Sequence, residues 1–479
     1  MTNYTASAVR PLIEAHFHRE LIKNEYFLKS INAIELLHST RLDIAFKLIF
    51  LRMARYDISF SRDIYVDHIR ALSLGTFTEP GNESKDSINK YILTFNEVLN
   101  DIKRNNFDSS KTLIPLSKNG SIANGSHRVA SAIFLEQKVT CVGIYTSDHI
   151  YDYKFFYERN VSSDTLDIVA TTFTEFSSNV HIAFLWPVAV GCDEEIERII
   201  PNIVYRKNIT LNLNGAHNLL SQVYFGEEWL GGVDNNFSGC QHKLIECFKS
   251  LGALKIIAFQ SESLNDVLII KERIRALFNV GKHSIHITDT KAEAVRAARI
   301  VFNDNSIHFL NYAMPNKYTS LHKKIEKFKE VVSNNKIDFD SVILDGGIVL
   351  SAYGLRECND IDYLTVNDDE LECHDEELEC HDKELEYHDE EKLELIFNPR
   401  YYFYFNGVKF ISFSQLYKMK RNRDEGKDKN DCNTMEALVE NKKIKQFISQ
   451  MKQAILYSKA KMKYEVIKRL KRIISCLRK

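Results

Sequence analysis

In the stretch ILDGGIVLSAYGLRECNDIDYL, residues 343–364, Asp360 follows Gly347 by thirteen positions and is separated from Asp362 by one isoleucine. Residues two apart in a strand share a face, so both carboxylates project together while Ile361 and Tyr363 turn to the core. Neighbouring carboxylates repel unless a cation lies between them. Such oxygen donors suit Mg²⁺, which binds one or two carboxylates together with substrate phosphates. Gly346 and Gly347 let a backbone turn approach a ligand, with amide N–H groups for phosphate oxygens. IVLSAYGLRE reads as the helix after that turn, its positive end directed to the same place.

A second turn repeats this logic with other residues. In IPLSKNGSIANGSHRVASAIF, residues 114–134, short strands run into Asn119-Gly120 and Asn124-Gly125, and His127-Arg128 open a helix. Arg128 offers a planar fork for phosphate oxygens beside the free N–H groups of the helix start. His127 is suited to donate to a phosphate or to shuttle a proton.

The elements around these turns follow from periodicity. The first hundred residues carry apolar positions three and four apart and read as helices, broken by the turn-rich TEPGNESKDS. Residues 165–312 alternate strand and helix, from HIAFLWPVAV to TKAEAVRAARIVFND, which argues for an α/β domain. LHKKIEKFKEVVSNN then links to the glycine pair. In the middle region Asn214, His217, Lys282 and His283 stand at strand–helix junctions, where α/β folds bind ligands.

The 479 residues are too many for one ordinary core. An apolar fraction of 44% and a charged fraction of 27% are those of a globular protein. No apolar leader or membrane-length apolar run is visible, and nine scattered cysteines suit reduced thiols in a cytoplasm. The net charge of −2 hides an asymmetry. Residues 368–394 hold 15 acids against 2 lysines, and residues 441–479 hold 13 basic residues against Glu465 alone.

The acidic segment repeats every seven residues as DDELECH, DEELECH and DKELEYH. Its leucines and the Cys or Tyr two places later do not make the 3/4 spacing of a coiled-coil seam. Cys373-His374 and Cys380-His381 are metal-ligand types, but adjacent residues diverge and their surroundings read as solvated. The segment is expected as a mobile surface loop. The basic tail reads as a helix with an apolar stripe from Ile444 to Leu456, suited to anionic lipid headgroups.

Gly346-Gly347, twelve intervening residues and Asp360-Ile-Asp362 together resemble the signature of the nucleotidyltransferase superfamily, the fold shared with DNA polymerase β. The resemblance covers about residues 340–435. It implies a catalytic set of Asp360, Asp362 and a third carboxylate, for which Glu394 is the nearby candidate, with Asp360 and Asp362 as metal ligands. It also implies nucleotide contacts from Gly346, Gly347, Ser351, Lys418, Arg423 and Lys427. Gly125, Ser126, His127 and Arg128 resemble the nucleotide-binding turn of the ParB/sulfiredoxin superfamily, over about residues 95–150. That resemblance implies a second nucleotide site, a small-molecule kinase or a regulatory switch.

The expected architecture is therefore a multidomain α/β and α+β chain. Residues 1–160 form a helical region leading into the ParB/sulfiredoxin-like domain, and 161–315 a central α/β domain. Residues 316–440 form the nucleotidyltransferase-like domain with its acidic insertion at 368–394, followed by the basic helical tail 441–479. The expected activity is Mg²⁺-dependent nucleotidyl or phosphoryl transfer from ATP or another nucleoside triphosphate to a small-molecule or sugar acceptor. The resemblances suggest bacterial surface-polysaccharide biosynthesis as its setting, in the cytoplasm, with peripheral contact at the inner membrane face through 441–479. Nucleic acid is not the expected partner. The competing expectation is a nucleotide-responsive binding protein whose nucleotidyltransferase domain is degenerate for want of a third carboxylate.

Overall fold

The computed structural model describes residues 3–56, 58–79, 85–249, 252–366, 371, 377–440 and 462. The basic tail expected over 441–479 lies outside them, apart from Met462. Three sheets organise the described residues.

The first sheet has the order β1-β2-β4-β3, with β1 at Asn3–Thr5, β2 at Glu25–Asn32, β3 at Ile114–Leu116 and β4 at Lys138–Gly143. Only β3 and β4 run parallel. Helix α1, Asp43–Met53, packs on helix α2, Ser59–Leu72, and on helix α3, Ser126–Phe134, which follows the Gly125 turn and lies against β4. α1 is apolar nearly all round, as a helix enclosed on every side must be. It nonetheless buries Asp43 and Lys47 completely.

The second sheet has the order β6-β7-β5-β8, from β5 at Val180–Leu185, β6 at Ile203–Ile209, β7 at Leu254–Gln260 and β8 at Ile285–Ile287. Helices do alternate with its strands, but every neighbouring pair is antiparallel. The expected α/β unit is therefore not a parallel sheet, and it lacks the parallel strand ends at which such folds bind ligands. Its pleat separates two cores. Ala183, Leu185, Ile257 and Phe259 pack outward under helices Asp193–Ile199 and Leu264–Phe278, while Ile182, Phe184, Ile256 and Ala258 join the main core.

The third sheet has the order β11-β10-β9-β13-β12. β9 is Val342–Asp345, β10 Ile361–Thr365, β11 Leu378–Cys380, β12 Tyr402–Phe405 and β13 Val408–Ile411. The Asn406-Gly407 turn joining β12 to β13 has positive φ at both residues (50° and 79°), the requirement of a two-residue hairpin loop. Four helices complete this region: α4 at Gly347–Ala352, α5 at Lys392–Phe397, α6 at Phe413–Arg423 and α7 at Gly426–Glu440. One continuous apolar core runs from Ile31 to Leu438 and ties the three sheets together.

The acidic repeat departs from the expected mobile loop. Its described half is packed: β11 pairs in parallel with β10, a 3-10 turn spans Asp382–Tyr387, and His381 and His388 are buried. Glu377 meets Lys327, 50 residues away, at 2.6 Å, and Asp382 meets Lys392 of the same segment at 2.8 Å, so part of the acidic charge is neutralised locally and part by a remote partner.

Candidate functional site

β9, the central strand of the third sheet, carries Asp345 at its C-terminal end, and Gly346 then turns the chain at φ +62°. A side chain is excluded there, because a Cβ on Gly346 would fall onto the Asp362 carboxylate. β10 returns antiparallel to β9 and sets Asp362 opposite Asp345, while β11 sets Glu379 opposite Asp362 on the other side. Asp360, Asp362 and Glu379 thereby offer carboxylate oxygens that all lie within 4.8 Å of one another. Asp362 is buried and Glu379 is open to solvent.

The turn itself is engaged from within. Asp362 Oδ2 accepts the Gly347 N–H at 3.0 Å, so that amide is not free for phosphate as the glycine pair alone suggested. Behind it, Asp345 Oδ2 accepts from His381 Nδ1 at 3.2 Å and from His388 Nε2 at 3.1 Å. Its other oxygen has no hydrogen-bond partner among the described residues. His381 Nε2 faces Asp362 Oδ1 at 3.4 Å, so one imidazole spans both buried aspartates.

The electrostatics follow from this spacing. Burial pushes the Asp362 carboxyl up to about 6, against the pull of His381 and the Gly347 N–H, with Asp360 and Asp345 adding repulsion. Burial alone would lower His381, but its bond to Asp345 and the charge of Asp362 outweigh that and push it up to about 9. Asp345 is held below the usual carboxylate range because its histidines outweigh its burial. Three clustered carboxylates with one neighbouring imidazole are short of positive charge, and hard oxygen donors at this spacing fit a divalent cation such as Mg²⁺.

Other expected contributors lie elsewhere. Glu394 does not join the carboxylates: its Oε1 accepts from Ser59 Oγ at 2.6 Å and the Phe60 N–H at 3.0 Å, and its Oε2 from Asn398 at 3.0 Å. It caps the start of α2. Ser351 is fully buried in α4. The expected basic residues of α6 and the first turn of α7 are partnered with acids: Lys418 with Glu390 at 3.4 Å, Arg423 with Asp428 at 2.8 Å, and Lys427 with Glu425 at 3.5 Å. Sequence reading gave Glu379, His388 and Asp345 no role in the site, and weighed His381 only as a metal-ligand type in surroundings read as solvated. The available signal was the seven-residue recurrence of histidine, with Asp345 directly before the glycines.

The second turn is built differently. Gly125 takes φ +88° and caps α3. Arg128 bonds inward to Thr112, Glu14 and the Leu113 carbonyl, and His127 Nε2 meets Tyr65 OH at 2.8 Å. Burial, with Lys47 next, holds His127 well below its ordinary value. Beside the turn lies a cavity of about 910 Å³, lined by Gly125, Ser126, His127 and Arg128 and faced by Arg41, Asp43 and Lys47. Asp43 binds Arg41 at 2.8 Å and Lys47 at 3.1 Å. In the central region, Asn214 bonds the Leu310, Asn311 and Ala313 carbonyls and His217 the Asn236 carbonyl, roles that hold loops in place.

No model of a known protein family, no curated protein and no solved structure matches this chain. Among the described residues no helix is long and apolar enough to cross a membrane.

Proposed function

We propose that the third sheet carries a divalent-metal-dependent nucleotidyltransferase site. The observation that carries this reading is the meeting of Asp360, Asp362 and Glu379 within 4.8 Å, beside a turn that only glycine can make. Asp360, Asp362 and Glu379 would hold Mg²⁺, which supplies charge neutralisation for a nucleoside triphosphate. In this reading Glu379 would serve as the third carboxylate whose want favours a degenerate domain. An acceptor hydroxyl attacks the α-phosphate in line, a phosphodiester bond forms, and pyrophosphate leaves. The Gly347 N–H and His381 fix the orientation of Asp362.

The test is Mn²⁺ binding followed by product analysis. Wild-type protein incubated with each nucleoside triphosphate and a mixture of hydroxylated small molecules should release pyrophosphate and yield a nucleotidylated product by mass spectrometry. Equal Mn²⁺ binding by wild type and Asp362→Asn, with pyrophosphate released by neither, would sink the reading.

A second reading is favoured by the cavity beside Gly125. It makes residues 125–128 a separate nucleotide site that regulates or complements the first. Loss of ATP affinity in Arg128→Ala supports it, and unchanged affinity removes it.

A further inference from the structure

Resting on the nucleotidyltransferase reading, we propose that Arg356 is the phosphate-binding residue of this site, held in place by Asp431. The Gly347 amide is already spent on Asp362, so a triphosphate needs another donor at the turn. The Arg356 guanidinium supplies it: Nη1 and Nη2 lie 3.5 and 3.7 Å from where a Gly347 Cβ would stand. No other cation is among the nearest atoms at that glycine.

The donor count leaves a fork free. Arginine carries five N–H donors. Nε and Nη2 bond Asp431 at 2.8 and 3.0 Å, and Nη1 bonds the Glu357 carbonyl at 3.2 Å. Among the described residues one N–H on each terminal nitrogen has no partner, the pairing that reads two phosphate oxygens at once.

The support behind Arg356 is rigid. Asp431 is buried and also receives Lys420 at 2.9 Å. Lys420 and Arg423 both bind Asp428, at 3.0 and 2.8 Å. Within this network Arg356, Lys420 and Arg423 share the buried Asp428 and Asp431, with the exposed Glu425 4.0 Å from Arg423 at its outer end. α6 and α7 therefore reach the site through Asp431 and Arg356, although Arg423 has no direct place in it. Asp431 is a positioning residue, because it acts through the guanidinium.

The experiment compares ATP, ADP and AMP binding in Mn²⁺ by calorimetry, in wild type, Arg356→Ala and Arg356→Lys. Removing a charge-assisted two-pronged contact should weaken ATP about 10- to 100-fold and leave AMP nearly unchanged. Arg356→Lys should recover part of that loss, since it keeps the charge but not the fork. A merely structural arginine would weaken all three nucleotides alike, and that result, or unchanged ATP affinity, overturns the inference. A second measurement on the unaltered chain covers misfolding of the variants. Phenylglyoxal labelling of Arg356, located by peptide mass spectrometry, should be blocked by ATP with Mn²⁺ but not by adenosine; equal labelling counts against the role. If wild type binds no Mn²⁺ at all and matches Asp362→Asn, the underlying site fails and takes this inference with it. If Mn²⁺ binds through Asp362 while Arg356→Ala is silent, only the arginine's role fails.

Discussion

The two glycine turns make an instructive pair. Gly346 and Gly125 both hold positive φ and both precede a helix, yet the charges around them are arranged differently. At Gly346, carboxylates gather with too few cations, and burial pushes Asp362 up to about 6. At Gly125 the nearby cations Arg41, Lys47 and Arg128 each already meet an acid. The backbone device is shared, but the charge left over is what selects a ligand: a metal complex at one turn, a smaller electrostatic preference at the other.

The strongest way to break this contrast is Asp362→Asn. It removes the carboxylate that joins the glycine turn to both neighbouring strands. Mn²⁺ affinity should fall at least about 100-fold and nucleotidyl transfer about 10³-fold, the scale of removing a principal electrostatic contributor. Mn²⁺ titration by electron paramagnetic resonance reads the first, and pyrophosphate release the second. Gly346→Ala should reproduce the metal loss, since its Cβ occupies the place of the carboxylate. Neither variant should alter binding at the Gly125 cavity.

pH separates the regions next. Burial pushes Lys47 down to about 8, against the opposing pull of Asp43, while the unfolded side chain titrates near ~10.4. Between these values the unfolded chain holds more protons, so stability rises with pH. The contribution is complete above about 10.4 and is lost as pH falls through about 8, with an amplitude of about 3 kcal/mol. Lys47→Met should remove that slope in denaturation curves taken at pH 8–10. Lys409, also pushed down to about 8 by burial, keeps its own share in the variant. An unchanged slope would show that Lys47 is not neutralised in this window.

A pair of glutamates sharpens the assignment of the third carboxylate. Glu379→Gln should weaken Mn²⁺ about tenfold and leave the melting temperature within error, because Glu379 is exposed. Glu394→Gln should leave Mn²⁺ binding alone but destabilise the fold by about 2 kcal/mol, having weakened charge-assisted bonds at the start of α2. The reverse pattern would return Glu394 to the site.

These residues also show what could be read from sequence and what could not. Gly346-Gly347 and Asp360-Ile-Asp362 were legible because their chemistry is local: two strand residues of one face and a turn needing glycine. The strand–helix alternation of the middle region was legible too, but periodicity carries no strand direction, so its antiparallel pairing was not. The acidic repeat misled because its partners are remote. His381 and His388 are drawn in by Asp345, 36 and 43 residues away, and no heptad statistic contains that carboxylate. Glu394 is the mirror case, since its carboxylate is consumed by Ser59 and Phe60, 335 and 334 residues distant.

The smallest effect tests whether the Gly125 turn is as strictly required as its counterpart. Its φ of +88° makes any side chain strained there, at a cost of about 1 kcal/mol. An added Cβ would come within 2.7 Å of Arg128 Nη2, the far end of a flexible side chain. That tip can swing away, whereas the Asp362 carboxylate at the other turn is fixed by the Gly347 N–H. Gly125→Ala should therefore fold, lose about 1 kcal/mol in chemical denaturation, and release Arg128 from Glu14 toward the cavity. A loss several times larger would mean that Arg128 is as immovable as Asp362, and the distinction drawn between the two turns would fall.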